Sequence, residues 1–101
     1  MHRMGLTLLL LTATAASAQD AAALQARSLA ASCAACHGTL GHGVEGSVVP
    51  PLAGRPALQI DEQMKSFRSG SRVGTVMPQI AKGYSDAQIE QIARLLAKEQ
   101  P

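Results

Sequence analysis

Aromatic side chains are nearly missing from this sequence: one Phe, one Tyr and no Trp occur in 101 residues. A core built on large rings is therefore excluded, and a domain of this size already buries only about 60% of the surface its unfolded chain exposes. Charge is sparse too, at 16% of residues, with nine Lys and Arg against seven Asp and Glu. Neither sign dominates, so no nucleic-acid partner and no adhesion to an acidic membrane surface is indicated. Repeats, low-complexity tracts and runs of alternating β-branched residues are missing as well, which leaves helix as the regular structure and one all-α domain as the expectation.

The amino-terminal segment differs from the rest. His2 and Arg3 make a short basic head, residues 6–11 are apolar, and Ala16-Ser17-Ala18 offers a small-residue cleavage site. The uncharged stretch 4–19 is shorter than the roughly 20 residues that cross a bilayer. Residues 1–18 are thus expected to be a cleaved secretory signal peptide, and 19–101 one exported domain in the periplasm, with no membrane span after cleavage. Further along, Arg55, Lys65, Arg68, Arg72 and Lys82 outnumber Asp61 and Glu62 within 55–82. That imbalance is either a docking rim or a solvated basic face.

The chain has two cysteines, and they fall in one pentapeptide, Cys33-Ala34-Ala35-Cys36-His37. Two thiols one helical turn apart can add to the vinyl groups of a haem, and the adjacent imidazole can reach its iron, so the motif predicts one covalently attached haem c. A redox disulfide pair is the rival reading, but it is expected beside a strand-helix-strand pattern that this sequence lacks. Zinc is weaker, because Cys33, Cys36, His37 and His42 crowd into ten residues with no distant second pair. A large flat apolar group also suits the missing aromatics, since small Ala and Leu side chains can pack around it.

Regular structure follows from local signals. Residues 20–36 are rich in strong helix formers and are predicted to form a first helix that delivers the cysteines. Gly38, Gly41, Gly43 and Gly46 break it, and 38–54 carries too much Gly and Pro to be regular. A second helix is expected from near Pro56, with Asp61 and Glu62 early and Ile60, Met64 and Phe67 as one apolar stripe, ending at Gly70. Residues 71–83 read as a second irregular loop containing Met77 and Pro78. Ser85, Asp86 and Gln88 form a plausible capping box for a last helix, whose core face is Ile89, Ile92, Ala93 and Leu96. Glu90, Arg94 and Lys98 fall on its solvent side.

Adjacency makes His37 the proximal iron ligand. Its other ring nitrogen needs an acceptor, for which the backbone carbonyl of Pro50 is the choice; a simple two-proline turn is the alternative. For the opposite face the candidates are Met64, Met77 and His42. Met64 belongs to the apolar stripe and is expected to fill the core. His42 lies five residues from His37, at most about 18 Å of chain, too little to pass easily around a haem edge. Met77 precedes a proline, stands far enough along the chain, and is expected to be the sixth ligand. With both axial positions filled, electron transfer without catalysis is predicted, and an open-site sensor or peroxidase is disfavoured.

With these residues placed, the sequence resembles a class I cytochrome c over 29–96. The likeness rests on CAACHG at 33–38, PPLAG at 50–54, FRSGSR at 67–72, VMPQIAKGYS at 76–85 and the closing amphipathic helix. It implies three or more helices around one haem, Pro50 supporting His37, and Met77 axial. Within that class, LAASCAACHGTLG and MPQIAKGYSDAQIE are most similar to the monohaem cytochrome subunit of flavocytochrome c sulfide dehydrogenases. That resemblance implies a flavoprotein subunit as partner and electron donor; the alternative is a free shuttle between other redox proteins. One haem motif excludes relay between two haems within this sequence. Leu95 and Leu96 stand where such domains often carry an aromatic residue, so the crossing of first and last helices is expected with less contact area.

Overall fold

The computed structural model describes residues 3–101, with side chains from Ser17 onward. Most side chains of the expected leader 1–18, including Ala16 of its cleavage site, lie outside the described residues; its described backbone runs without a break into helix α1 (Arg3–Ala31). The first helix differs from expectation at its other end. It stops before the cysteines, Ser32 and Cys33 form a turn, and a single further turn, α2 (Ala34–His37), carries Cys36 and His37. The cause is local: the Cys33 amide donates to the Ala30 carbonyl at 3.1 Å, an i−3 bond that tightens the chain, and Ser32 Oγ donates back to the Leu29 carbonyl at 3.4 Å.

Helix α3 (Ala57–Ser69) opens after Pro56, whose carbonyl accepts from the Ile60 amide. Gly70 closes it in the left-handed conformation, φ 86°, with its amide reaching the Phe67 and Ser66 carbonyls. Ile60 and Met64 are buried and Phe67 is half-buried, as the stripe predicts. The second loop is shorter than expected. Met77 opens a five-residue helix, α4 (Met77–Ala81), because Pro78 has its φ preset for a first helical turn and Gln79 and Ile80 both donate to the Val76 carbonyl.

Helix α5 (Asp86–Ala97) begins with the predicted capping box: Ser85 Oγ accepts from the Gln88 amide at 3.2 Å, and Gln88 Oε1 accepts from the Ser85 amide at 2.9 Å. Its Ile89, Ile92, Ala93 and Leu96 are all buried. This helix packs against α1 and α3, and α3 packs against α4. Ala30, Ile60, Met64 and Ala81 complete one core with the four α5 residues. The α1–α5 crossing forms with Leu96 fully covered and Leu95 half-buried, and the described residues contain helices and no strand, which is the all-α fold the sequence predicts.

Surface ion pairs join the helices. Lys65 Nζ lies 3.0 Å from Asp61 Oδ2 and 3.6 Å from Glu90 Oε1, linking α3 to α5. Arg68 of α3 pairs with Asp86 at the start of α5, and hydrogen bonding by the guanidinium holds the Asp86 carboxyl below the ordinary 3.8. A depressed carboxyl pKa stabilises the fold above the unfolded value and loses that contribution as pH falls through the folded one. Asp86→Asn is therefore expected to unfold at lower urea than wild type at neutral pH, with a smaller gap in acid, below the carboxylate range. An equal gap at both pH values would contradict the pairing.

Candidate cofactor site

The break between α1 and α2 sets the two thiols in different surroundings. Cys33 is half-buried against the core, Cys36 one turn later is exposed, and both are free. Burial pushes the Cys33 thiol upward, against a smaller opposing effect of its hydrogen bond with Ser32, so it is protonated at neutral pH. His37 ends α2 with Nδ1 2.7 Å from the Pro50 carbonyl oxygen. A carbonyl can only accept, so Nδ1 carries the proton and donates, which leaves the Nε2 lone pair available to a metal.

Backbone hydrogen bonds bring Pro50 back to His37. The Gly43 amide donates to the His37 carbonyl at 2.7 Å, Leu52 and Ala53 donate to the Gly41 carbonyl at 2.7 and 3.0 Å, and Gly54 donates to Leu96 of α5 at 2.9 Å. Gly38 makes this return possible. Its φ is +83°, and a Cβ there would stand 2.2 Å from the Gly43 carbonyl oxygen. Two features therefore rest on consecutive residues, the oriented imidazole on His37 and the turn on Gly38.

Met77 is half-buried at the head of α4 and packs against the same core cluster as Cys33. Its rivals are engaged elsewhere: Met64 is buried in that core, and His42 Nε2 faces Glu99 Oε2 at 3.3 Å. Among the described residues no three His, Cys, Asp or Glu side chains gather as they would for a bare metal ion. A macrocycle that brings its own four nitrogens needs only axial donors and tethers. The donor types present would suit haem c: Cys33 and Cys36 would anchor it as thioethers, and His37 and Met77 would be the side chains to ligate its iron. Val48, 99% exposed, and Val73, 94% exposed, are apolar side chains on the loop that follows His37 and the loop that precedes Met77.

Three of the five basic side chains in 55–82 have defined partners. Lys65 and Arg68 are paired with carboxylates, and the Arg72 guanidinium lies 5.0 Å from the Phe67 ring centroid. Arg68 also donates from Nη1 to the Tyr84 carbonyl at 3.1 Å, and Tyr84 Oη lies 2.5 Å from Ser32 Oγ. Sequence reasoning missed the Ser32–Tyr84 pair, because 52 residues separate its members and neither carries a motif. It missed the His42–Glu99 contact for the same reason.

Residues 17–96 match the family described as cytochrome c oxidase, cbb3-type, subunit III. The chain is 43% identical over 65 residues to the cytochrome subunit of sulfide dehydrogenase from Chlorobaculum tepidum, covering 64% of this chain and 57% of that protein. It is 40% identical over 72 residues to a thiosulfate dehydrogenase electron acceptor from Thiomonas intermedia, covering 71% and 33%. Cytochrome c-554(548) from Halomonas halodenitrificans is 39% identical over 64 residues, 60% of this chain and 76% of that one. The match thus spans between a third and three-fifths of the length of the two dehydrogenase-linked relatives.

Among the glycines of the described residues, Gly38 has the least room for a side chain. Gly38→Ala places a side chain at φ +83° and ψ 162°, a conformation essentially restricted to glycine, which alone costs about 1–3 kcal/mol before the contact with Gly43 is relieved. The expected outcome is a lower denaturation midpoint together with less haem-loaded protein per polypeptide. A variant that loads and unfolds like wild type would contradict the turn's role.

Proposed function

Because the chain belongs to this cytochrome c family, matched over residues 17–96, we propose that it carries single electrons through one haem c with His37 and Met77 as axial ligands. Covalently bound haem c is the family's cofactor; when bound, it supplies an Fe(II)/Fe(III) couple whose potential a thioether ligand raises relative to two histidines. The chain's own residues do the rest. With the group bound, Cys33 and Cys36 would tether it and Met77 would be a second ligand beside His37, leaving no open position for a reactant; the Pro50 carbonyl holds the His37 proton at Nδ1. The observation that carries this reading is the 2.7 Å contact from His37 Nδ1 to Pro50, which presents Nε2 as a donor. A filled coordination sphere moves electrons without making bonds, so the domain is an electron-transfer protein rather than an enzyme.

The named relatives suggest the partner. One is the cytochrome subunit of a sulfide dehydrogenase and another the electron acceptor of a thiosulfate dehydrogenase, so this chain pairs with a redox protein. The finer reading is the flavoprotein subunit of a sulfide dehydrogenase as donor, in the periplasm, after removal of residues 1–18. No helix among the described residues is long and apolar enough to cross a membrane. A free shuttle is the second reading, favoured by the 76% coverage of cytochrome c-554(548). Co-elution of the native protein with a flavin-containing chain supports the subunit; a lone small peak supports the shuttle. A mature mass beginning at Gln19 is the expected result for the leader, and a retained Met1 would contradict it.

Carbon monoxide tests the axial assignment. The ferrous wild-type protein is expected to show no spectral change under carbon monoxide at neutral pH, and Met77→Ala to bind it. Binding by wild type would show an open position. Binding by Met64→Ala but not by Met77→Ala would move the ligand to Met64.

A further inference from the structure

We propose that Tyr84 is a positioning residue for Met77, acting through a hydrogen bond that fastens the methionine segment to the residue beside Cys33. This inference rests on the axial role of Met77 given above. Upstream of Met77, residues 71–76 are irregular and exposed; their ties, the Arg72 amide to the Ser66 carbonyl at 3.1 Å and the Arg72 guanidinium over Phe67, run to the end of α3 and not to residues 32–37, and Val76 is the one of them whose carbonyl feeds α4. Helix α4 itself is five residues long, too short to keep its register unaided. Besides its packing against α3, what fixes it lies downstream.

Ala81 is fully buried at the end of α4, and two successive turn bonds follow it, Gly83 N–H to Ile80 at 3.0 Å and Tyr84 N–H to Ala81 at 3.2 Å. Tyr84 is then held at three points. Its ring packs against the core beside which Phe67 and Met77 also pack. Its carbonyl accepts from Arg68 Nη1 at 3.1 Å, and Arg68 is in turn paired with Asp86. Its hydroxyl lies 2.5 Å from Ser32 Oγ, in the turn that separates α1 from α2. Ser32 is adjacent to Cys33, so this one bond joins the segment carrying the sulfur ligand to the motif carrying the tethers and the imidazole. No other side-chain hydrogen bond described in the chain connects residues 32–37 with 71–84.

The ring alone would satisfy packing, and Phe would fill the same place. The hydroxyl therefore has a separable role, holding Met77 at a fixed distance from the motif. A hydrogen bond of this kind is worth a few-fold in an equilibrium, so its removal should make Met77 easier to displace without unfolding the protein.

The test uses imidazole as competitor in the ferric haem-loaded protein, read by loss of the long-wavelength sulfur-to-iron charge-transfer absorption. Tyr84→Phe is expected to lose the band at roughly fivefold lower imidazole than wild type. Ser32→Ala, at an exposed position, should give the same shift, and the double variant no further shift. A merely structural role would lower the denaturation midpoint and leave the imidazole midpoint unchanged, which would overturn the proposal. Additive shifts in the double variant would overturn it too, because the two hydroxyls would then act separately. A wild-type ferric protein with no such band would remove the axial role of Met77 and this inference with it, a result distinguishable from unchanged variants of a protein that has the band.

Discussion

The bond from His37 Nδ1 to the Pro50 carbonyl constrains the rest of this molecule. An imidazole at the end of a one-turn helix could rotate and could carry its proton on either nitrogen; the carbonyl removes both freedoms and leaves Nε2 as the donor. To bring Pro50 into place the chain must reverse immediately after His37, which requires Gly38 at φ +83°. The returning strand of loop is then fastened through Gly41 and, by Gly54, to Leu96 of α5. Ligand orientation, loop path and the end of the last helix are thus one connected set of hydrogen bonds.

Packing around that set is thin. Nine hydrophobic side chains are buried among the described residues, and Ala30, Ala53, Ala81 and Ala93 are four of them, so the helices approach closely but enclose little apolar volume. A small domain with such a core depends on a staple, and a covalent macrocycle is a staple as well as a redox centre. Cys33 and Met77 pack against the same cluster as the helices, which means that the groups assigned to hold the haem are also part of what holds the fold. Function and stability are therefore coupled in this chain, and a substitution at either residue is expected to change both.

Much of this was legible in the sequence because the relevant signals are local. The Cys33-to-His37 motif, the Ser85–Gln88 capping box, the Gly70 stop and the Ile60, Met64, Phe67 stripe each lie within a few residues and follow from backbone chemistry alone. Two local features were less readable. The helix break at Ser32 and Cys33 has no Gly or Pro to announce it, and the short helix at Met77 hides in a segment whose glycines and serines suggest a loop. The contacts that were not legible are those between distant segments. Arg68 looks like a free surface cation until Tyr84 and Asp86 are seen against it, and nothing in the order of residues pairs His42 with Glu99 or Ser32 with Tyr84. Spacing along the chain shows which atoms are available, and only the fold shows which of them are already engaged.

Extraction into acidified acetone tests the central claim most directly, because it separates a haem held by ligation from one held by carbon–sulfur bonds. The account predicts that the pigment precipitates with the polypeptide, and that replacing both Cys33 and Cys36 by Ser releases it into the solvent. Purified protein that is colourless, or whose colour passes into the acetone with both cysteines intact, would contradict the account.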